Sequence, residues 1–140
     1  MGWGLGIGER EEIRAHGAAE YPFESCGMVL VRDGDGERVV LKCENVARWV
    51  EKEYVVHPDD LRRGMILVGE GFRLAVIYHS HVDGPATFSM EDRRRAILAG
   101  VPRHPEVLYL VTSVYAGAAM ETRGYRWLEG SRCFEEVVEA

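Results

Sequence analysis

A chain of 140 residues with 46% hydrophobic and 29% charged side chains is expected to form one domain, residues 1–140. That length buries roughly two-thirds of the unfolded surface without disulfides or a structural metal. The formal net charge of −6 argues against a nucleic-acid partner, because phosphate binding relies on cation-rich surfaces.

Along the chain, MGWGLGIGEREE turns acidic before any apolar stretch reaches signal-peptide length. No segment nears the roughly 18 apolar residues that span a bilayer, so no membrane role is expected. Residues 8–20, GEREEIRAHGAAE, predict a helix that stops where Pro22 biases Tyr21 away from helical geometry. CGMVLVRD (26–33) and RVVLKCEN (38–45) are apolar runs separated by DGDGE, a hairpin signal. EYVVH (53–57) predicts a third strand. His57-Pro58-Asp59-Asp60 then opens a helix in which Leu61, Met65 and Val68 share one face, predicted to be buried, with Gly69 and Gly71 closing it.

FRLAVIYHSH (72–81) has the apolar continuity of a central strand covered on both faces. SMEDRRRAILAG (89–100) predicts a third helix, with Ser89 as N-cap, Asp92 three residues on and Gly100 as the stop. Its Arg93-Arg94-Arg95 run reads as a solvated face. Strands at 106–115, 120–128 and 133–140 complete the order α-ββ-β-α-β-α-βββ. The fold class is therefore α/β, a mixed, mostly antiparallel sheet flanked by helices in layers.

Cysteine usage narrows the chemistry. Cys26, Cys43 and Cys133 include no C-x-x-C pair, which speaks against a disulfide framework or a structural zinc site and suits a reduced cytoplasmic setting. Cys26 heads an apolar strand with nothing placed to lower its pKa, so it reads as core and not as a nucleophile. His16, His57 and His104 are unpaired and read as surface or boundary positions. Trp49, Tyr54 and Trp127 read as packing aromatics, with a place beside a substrate groove open to one of them.

The informative stretch is YHSHVDGPATFSMED, Tyr78 to Asp92. Strand side chains alternate faces, so His79 and His81 leave one face and Ser80 the other. At a strand end beside a Gly-containing loop, their nitrogens can converge on a metal. Asp92 adds a carboxylate in the first turn of the predicted helix, where the macrodipole favours it. It also suits a capping box with Ser89, and the two roles compete only in part. Two neutral imidazoles and one carboxylate leave the fourth position of tetrahedral Zn2+ open, the catalytic arrangement and not the structural one. Ligand type favours zinc over iron or copper and leaves a close substitute open. Asp83 is too near along the loop to join, and Glu91 points about 100° away from Asp92 around the helix.

The order His79-Ser80-His81, seven residues, Ser89, two residues, Asp92 resembles the H-x-H-x7-S-x2-D signature of the JAMM (MPN+) metalloproteases. The resemblance extends to PFESCGMVLV, where Glu24 precedes Cys26-Gly27 as in many prokaryotic members, and to the H-P-x-x-L helix. It implies a cytidine-deaminase-like layered fold, with zinc held by His79, His81 and Asp92. It further implies that Glu24 takes the proton of the attacking water and passes it to the leaving amine, while Ser89 donates to the oxyanion. The implied activity is cleavage of peptide or isopeptide bonds after the Gly-Gly tail of a ubiquitin-like or sulfur-carrier protein.

Phe88 stands where the family commonly has proline, which puts loop rigidity and substrate fit in question more than metal binding. Two other readings use the same fold: a non-catalytic MPN-type interaction module, and a cell-wall or small-peptide amidase. A nucleobase deaminase would need a P-C-x-x-C pair that is absent. A DNA-repair relative with a similar motif fits poorly with so acidic a chain.

Overall fold

The longest apolar runs become neighbouring strands. The computed structural model, which describes residues 2–139, begins with helix α1 (Ile7–Glu20) and the hairpin β1 (Cys26–Arg32) and β2 (Glu37–Cys43). Helix α2 (Pro58–Gly69), strand β3 (Arg73–Val82) and a short helix α3 (Met90–Arg95) follow. A two-residue ribbon, β4 (Ile97–Leu98) and β5 (Val101–Pro102), leads to β6 (Leu108–Tyr115), β7 (Ala118–Leu128) and β8 (Cys133–Val137). The predicted last strand extended to Ala140, which lies outside the described residues.

Six strands form one sheet in the order β2-β1-β3-β6-β7-β8. Among the described residues only β3 and β6 pair in parallel, so the sheet is mixed and mostly antiparallel, as its sequence predicts. Helix α1 covers one face, packing Ile13 with Val29, Val76, Tyr78, Leu108 and Leu110. On the other face, Met28, Leu30, Leu41 and Phe72 pack together with Leu67 of α2. Beside them Phe88, Ala96, Tyr109, Tyr125, Trp127 and Phe134 form a second cluster. No described helix is long and apolar enough to cross a membrane.

Several local expectations are corrected. Residues 53–57 form no strand; they contribute one isolated bridge, Asn45 to Val56. The Asn45 side chain takes the backbone groups a ladder would use, donating to Glu24 O (3.0 Å) and Glu53 O (2.9 Å) and accepting from Ala47 N (2.9 Å) and Val55 N (3.0 Å). The predicted helix over 89–100 ends at Arg95, because Ala99 and Gly100 take positive φ (54° and 78°) and turn the chain into the β4-β5 ribbon. In α2, Leu61, Met65 and Val68 are exposed, not buried. That helix sits on the sheet through Gly64, where an added Cβ would lie 3.2 Å from the Met28 sulfur. The arginine run is not a solvated face throughout: Arg93 donates to Phe88 O (3.2 Å) and Phe134 O (3.1 Å).

His16, read from sequence as a surface or boundary position, is buried and shares a 2.7 Å hydrogen bond with the Tyr78 hydroxyl. Tyr78 lies flat over Gly27 on β1, where a Cβ would come within 2.3 Å of its ring. Gly27→Ala should therefore overpack the site by about 1–3 kcal/mol, seen as a melting temperature several degrees lower by calorimetry. Burial lowers the His16 pKa below its usual value, so the folded protein prefers the neutral ring. Its stabilising contribution is complete above the unfolded value near pH 6.5 and is lost as pH falls below it. Between pH 8 and pH 5 the wild-type melting temperature should drop more steeply than that of His16→Gln; parallel slopes would refute this.

Candidate metal centre

The pleat of β3 sends Ile77, His79 and His81 toward the α2 and α3 side, opposite Tyr78 and Ser80. His79 is paired with Cys26 at the start of β1 and with Val111 on β6, so its backbone is held from both sides. The Nε2 atoms of His79 and His81 stand 3.2 Å apart. Asp92 faces both, with Oδ1 3.1 Å from His79 Nε2 and Oδ2 3.1 Å from His81 Nε2. The three ligand atoms all lie within 4.8 Å of one another.

Asp92 reaches this place because α3 starts with a complete capping box. Ser89 Oγ accepts from Asp92 N (3.0 Å) and Asp92 Oδ2 accepts from Ser89 N (3.0 Å). The same carboxylate thus caps the helix and faces the histidines. On the other side of His81, Nδ1 lies 2.8 Å from Pro85 O. In the neutral ring that nitrogen carries the proton and donates to the carbonyl, which turns the Nε2 lone pair toward Asp92. A lone pair and a carboxylate at 3.1 Å repel unless a proton or a cation lies between them. Two imidazole nitrogens and a carboxylate converging in this way fit a divalent metal ion.

Electrostatics follow the same geometry. Burial lowers the pKa of His79 despite Asp92 beside it, which favours the neutral ring. His81 is half-buried, and its bonds to Asp92 and Pro85 outweigh the effect of that burial and raise its pKa. Burial alone would raise Asp92; His79 and His81 instead hold it well below the usual carboxylate range.

Glu24, 6% exposed, lies just before β1. Its backbone is fixed by Glu24 N donating to Val50 O (2.7 Å) and by Asn45. Burial pushes its carboxyl up to about 7. Glu24, His81, Ser89 and Asp92 together line a cavity of about 30 Å3, room for a water molecule or two. Since Ser89 Oγ accepts from Asp92 N, its hydroxyl proton remains free to donate into that cavity.

Phe88 does not loosen the loop. Its ring is buried against Tyr109, Tyr125 and Phe134 at centroid distances of 5.1–5.3 Å, and Tyr125 Oη donates to Ala86 O (2.8 Å). Aromatic packing supplies the rigidity that proline would. Asp83 is engaged elsewhere, accepting from Tyr21 Oη (2.7 Å) and Ala116 N (3.0 Å). Glu91 pairs with Arg94 and Arg95. Cys26 is fully buried, and burial pushes its thiol well above the usual range, which leaves it unreactive.

Two residues take places at the centre that their sequence does not specify. Tyr54 stacks on His79, with ring centroids 4.5 Å apart and planes at 25°. Arg95 donates to Tyr54 O and to Glu53 Oε2. Arg95 follows Asp92 by three positions, so it shares a side of the helix with the carboxylate, a spacing hidden inside the arginine run. Tyr54, expected as a packing aromatic, packs on His79 and lines both cavities beside the centre, a contact its local sequence does not reveal.

A layered sheet with a His-His-Asp group at the end of its central strand and a carboxylate ahead of β1 defines a JAB/MPN-type domain. The chain matches the prokaryotic homologs of the JAB domain over residues 8–128 and belongs to that family. A protein from Salinibacter ruber, solved in solution, is 26% identical with a TM-score of 0.66, covering 96% of this chain and 90% of its own. Protein DSY2949 from Desulfitobacterium hafniense, 24% identical, shares the fold with a TM-score of 0.66 over 94% of this chain and 87% of its own. No curated protein matches the chain.

The geometry predicts about one bound divalent ion per chain, the capacity of one three-ligand site. His79→Ala or Asp92→Ala should abolish retention after gel filtration, measured by inductively coupled plasma mass spectrometry. Full retention in either variant would remove that residue from the ligand set.

Proposed function

We propose that the protein is a zinc-dependent hydrolase of peptide or isopeptide bonds, acting after the C-terminal tail of a ubiquitin-like or sulfur-carrier protein. The observation that carries this reading is the convergence of His79, His81 and Asp92 beside a cavity shared with buried Glu24. His79, His81 and Asp92 would hold the ion, which supplies Lewis acidity toward a carbonyl and makes water a nucleophile near neutral pH.

The chain's own groups do the rest. Glu24 accepts the proton of the attacking water and returns it to the departing nitrogen, one carboxylate acting as base and then as acid. Its burial suits both steps, because a carboxyl that titrates near neutrality can give and take a proton at little cost. Ser89 aims its free O–H at the developing oxyanion, a contribution typically worth about 10²–10³ in rate. His81, fixed through Pro85, keeps its ring from turning as charge develops.

The surroundings support a polypeptide tail as substrate. The cavity at Glu24 admits little more than water, which favours glycine beside the scissile bond. A cavity of about 320 Å3 adjoins it, sharing Tyr54, Asp92 and Arg95, floored by Met28, Ile77 and Tyr109. Leu61 and Met65 of α2 rim this cavity, an apolar wall suited to aliphatic side chains further along an extended tail. The three free cysteines support a reduced cytoplasmic location.

Zinc-loaded protein incubated with Gly-Gly-tailed fusions should release the segment after the tail, read by mass spectrometry. Cleavage confined to short cell-wall peptides would favour the amidase instead, and binding without cleavage the interaction module. Glu24→Gln should keep its zinc yet lose at least about 10²-fold in kcat; full turnover in that variant would take Glu24 out of the mechanism.

A further inference from the structure

We infer that Tyr54, clamped by Arg95, is the positioning residue for the His79 imidazole and thereby sets how tightly the centre holds its ion. This rests on the metal-centre reading above and adds to it a group that the ligand motif does not contain.

The starting point is an omission. A histidine that ligates through one nitrogen ordinarily donates the other N–H to a carbonyl or carboxylate, which fixes the ring. His81 follows that pattern through Pro85. His79 does not: its Nδ1 is buried and, among the described residues, has no hydrogen-bond partner. Its ring is 1% exposed and still points Nε2 at Asp92 and His81. Something other than a hydrogen bond must stop rotation about χ2, since a turned ring would present carbon to the ion.

Tyr54 is the group placed to do so. It lies over the imidazole at 4.5 Å and 25°, a stacked contact across the ring face. Rotation of the His79 ring out of that plane would drive its edge into the phenol. The contact also has a chemical direction. An imidazole that gives its lone pair to a cation becomes electron-poor, and an electron-rich aromatic face stabilises that form more than the free ring. The stack therefore favours the metal-bound state in addition to orienting it.

Tyr54 belongs to no strand, so its own position needs an anchor. Its carbonyl accepts from Arg95 Nη1, and Arg95 Nη2 pairs with Glu53 Oε2 at 3.0 Å. Arg95 rises from α3, the same helix that presents Asp92. One helix thus delivers a ligand directly and, through Arg95 and Tyr54, braces a second ligand on the neighbouring strand. Tyr54 also stands between the small cavity and the apolar one, lining both.

The test is zinc affinity measured by competition with a chromophoric chelator, together with the visible spectrum of the Co2+-substituted protein and the melting temperature of the metal-free chain. Tyr54→Phe keeps the aromatic face and should bind like wild type. Tyr54→Leu keeps bulk without the face and should bind about ten-fold more weakly, with altered Co2+ d–d bands, while its metal-free melting temperature stays within a few degrees of that of Tyr54→Phe. A role in packing alone would lower the melting temperature without moving the affinity or the spectrum. Should Tyr54→Leu fail to fold, Arg95→Gln, which slackens the clamp at a partly exposed position, should show the same weakening. Wild-type affinity and spectrum in the folded variants, with zinc bound by the wild type, would overturn this inference and leave the metal centre standing. Absence of zinc binding by the wild type would overturn both.

Discussion

Acceptor groups crowd the end of β3, and the surrounding structure is arranged to keep them there. Two Nε2 atoms 3.2 Å apart and a carboxylate 3.1 Å from each form a set that pushes itself apart unless positive charge sits among them. Strand pleating alone would not hold it, because pleating orients the two histidines but does not place Asp92. What resists is backbone. β3 is paired on both sides through His79, and Asp92 cannot leave without breaking its bond from Ser89 N at the helix cap. The helix start and the ligand are one object.

That coupling explains why much of the site was legible. Strand alternation and the Ser-x-x-Asp cap are short-range rules, each decided within a few residues, so H-x-H and S-x-x-D announced both geometry and chemistry. The layered α/β class was legible for the same reason, since long apolar runs separated by turn residues mark which segments become strands, though not the order in which they pair. The failures are of another kind. Leu61, Met65 and Val68 do share a face of α2, but periodicity says which residues lie together, not whether anything packs on them. The helix settled on Gly64 and left that face at the rim of the apolar cavity. Residues 53–57 have strand composition, yet Asn45 occupies the hydrogen bonds a ladder requires. His16 looked solitary because its partner, Tyr78, lies 62 positions away.

The two faces of β3 divide the work. Toward α1, Val76 and Tyr78 are sealed among apolar residues, and Gly27 makes the space that lets Tyr78 lie against β1. Toward α3, His79 and His81 meet a carboxylate. The packed side holds the backbone from which the candidate ligands project, so disturbance of Gly27 or Tyr78 is transmitted to His79 through one peptide unit. This gives a physical reason for the tight packing behind the centre: ligand atoms tolerate displacements of only a few tenths of an ångström if they are to share an ion.

Glu24 is held differently. The histidines are fixed by sheet ladders and Asp92 by a cap, whereas Glu24 N and O are tied to the 44–57 segment, by Val50 and by Asn45. That segment has a single bridge, carries exposed Val46, Trp49 and Val55, and is pinned to α3 by Arg95. Its backbone closes on itself through Val46 N to Val55 O (2.8 Å) and His57 N to Glu44 O (3.0 Å), so it is held by a loop's own hydrogen bonds and by Arg95 instead of by a ladder. The candidate centre therefore sets two histidines and an aspartate, held by sheet and cap, beside a carboxylate held by a loop that Arg95 ties to the aspartate's own helix. Under the function proposed above, Glu24 would face water in one step and a departing nitrogen in the next, and a loop position accommodates that better than one locked within the ladder.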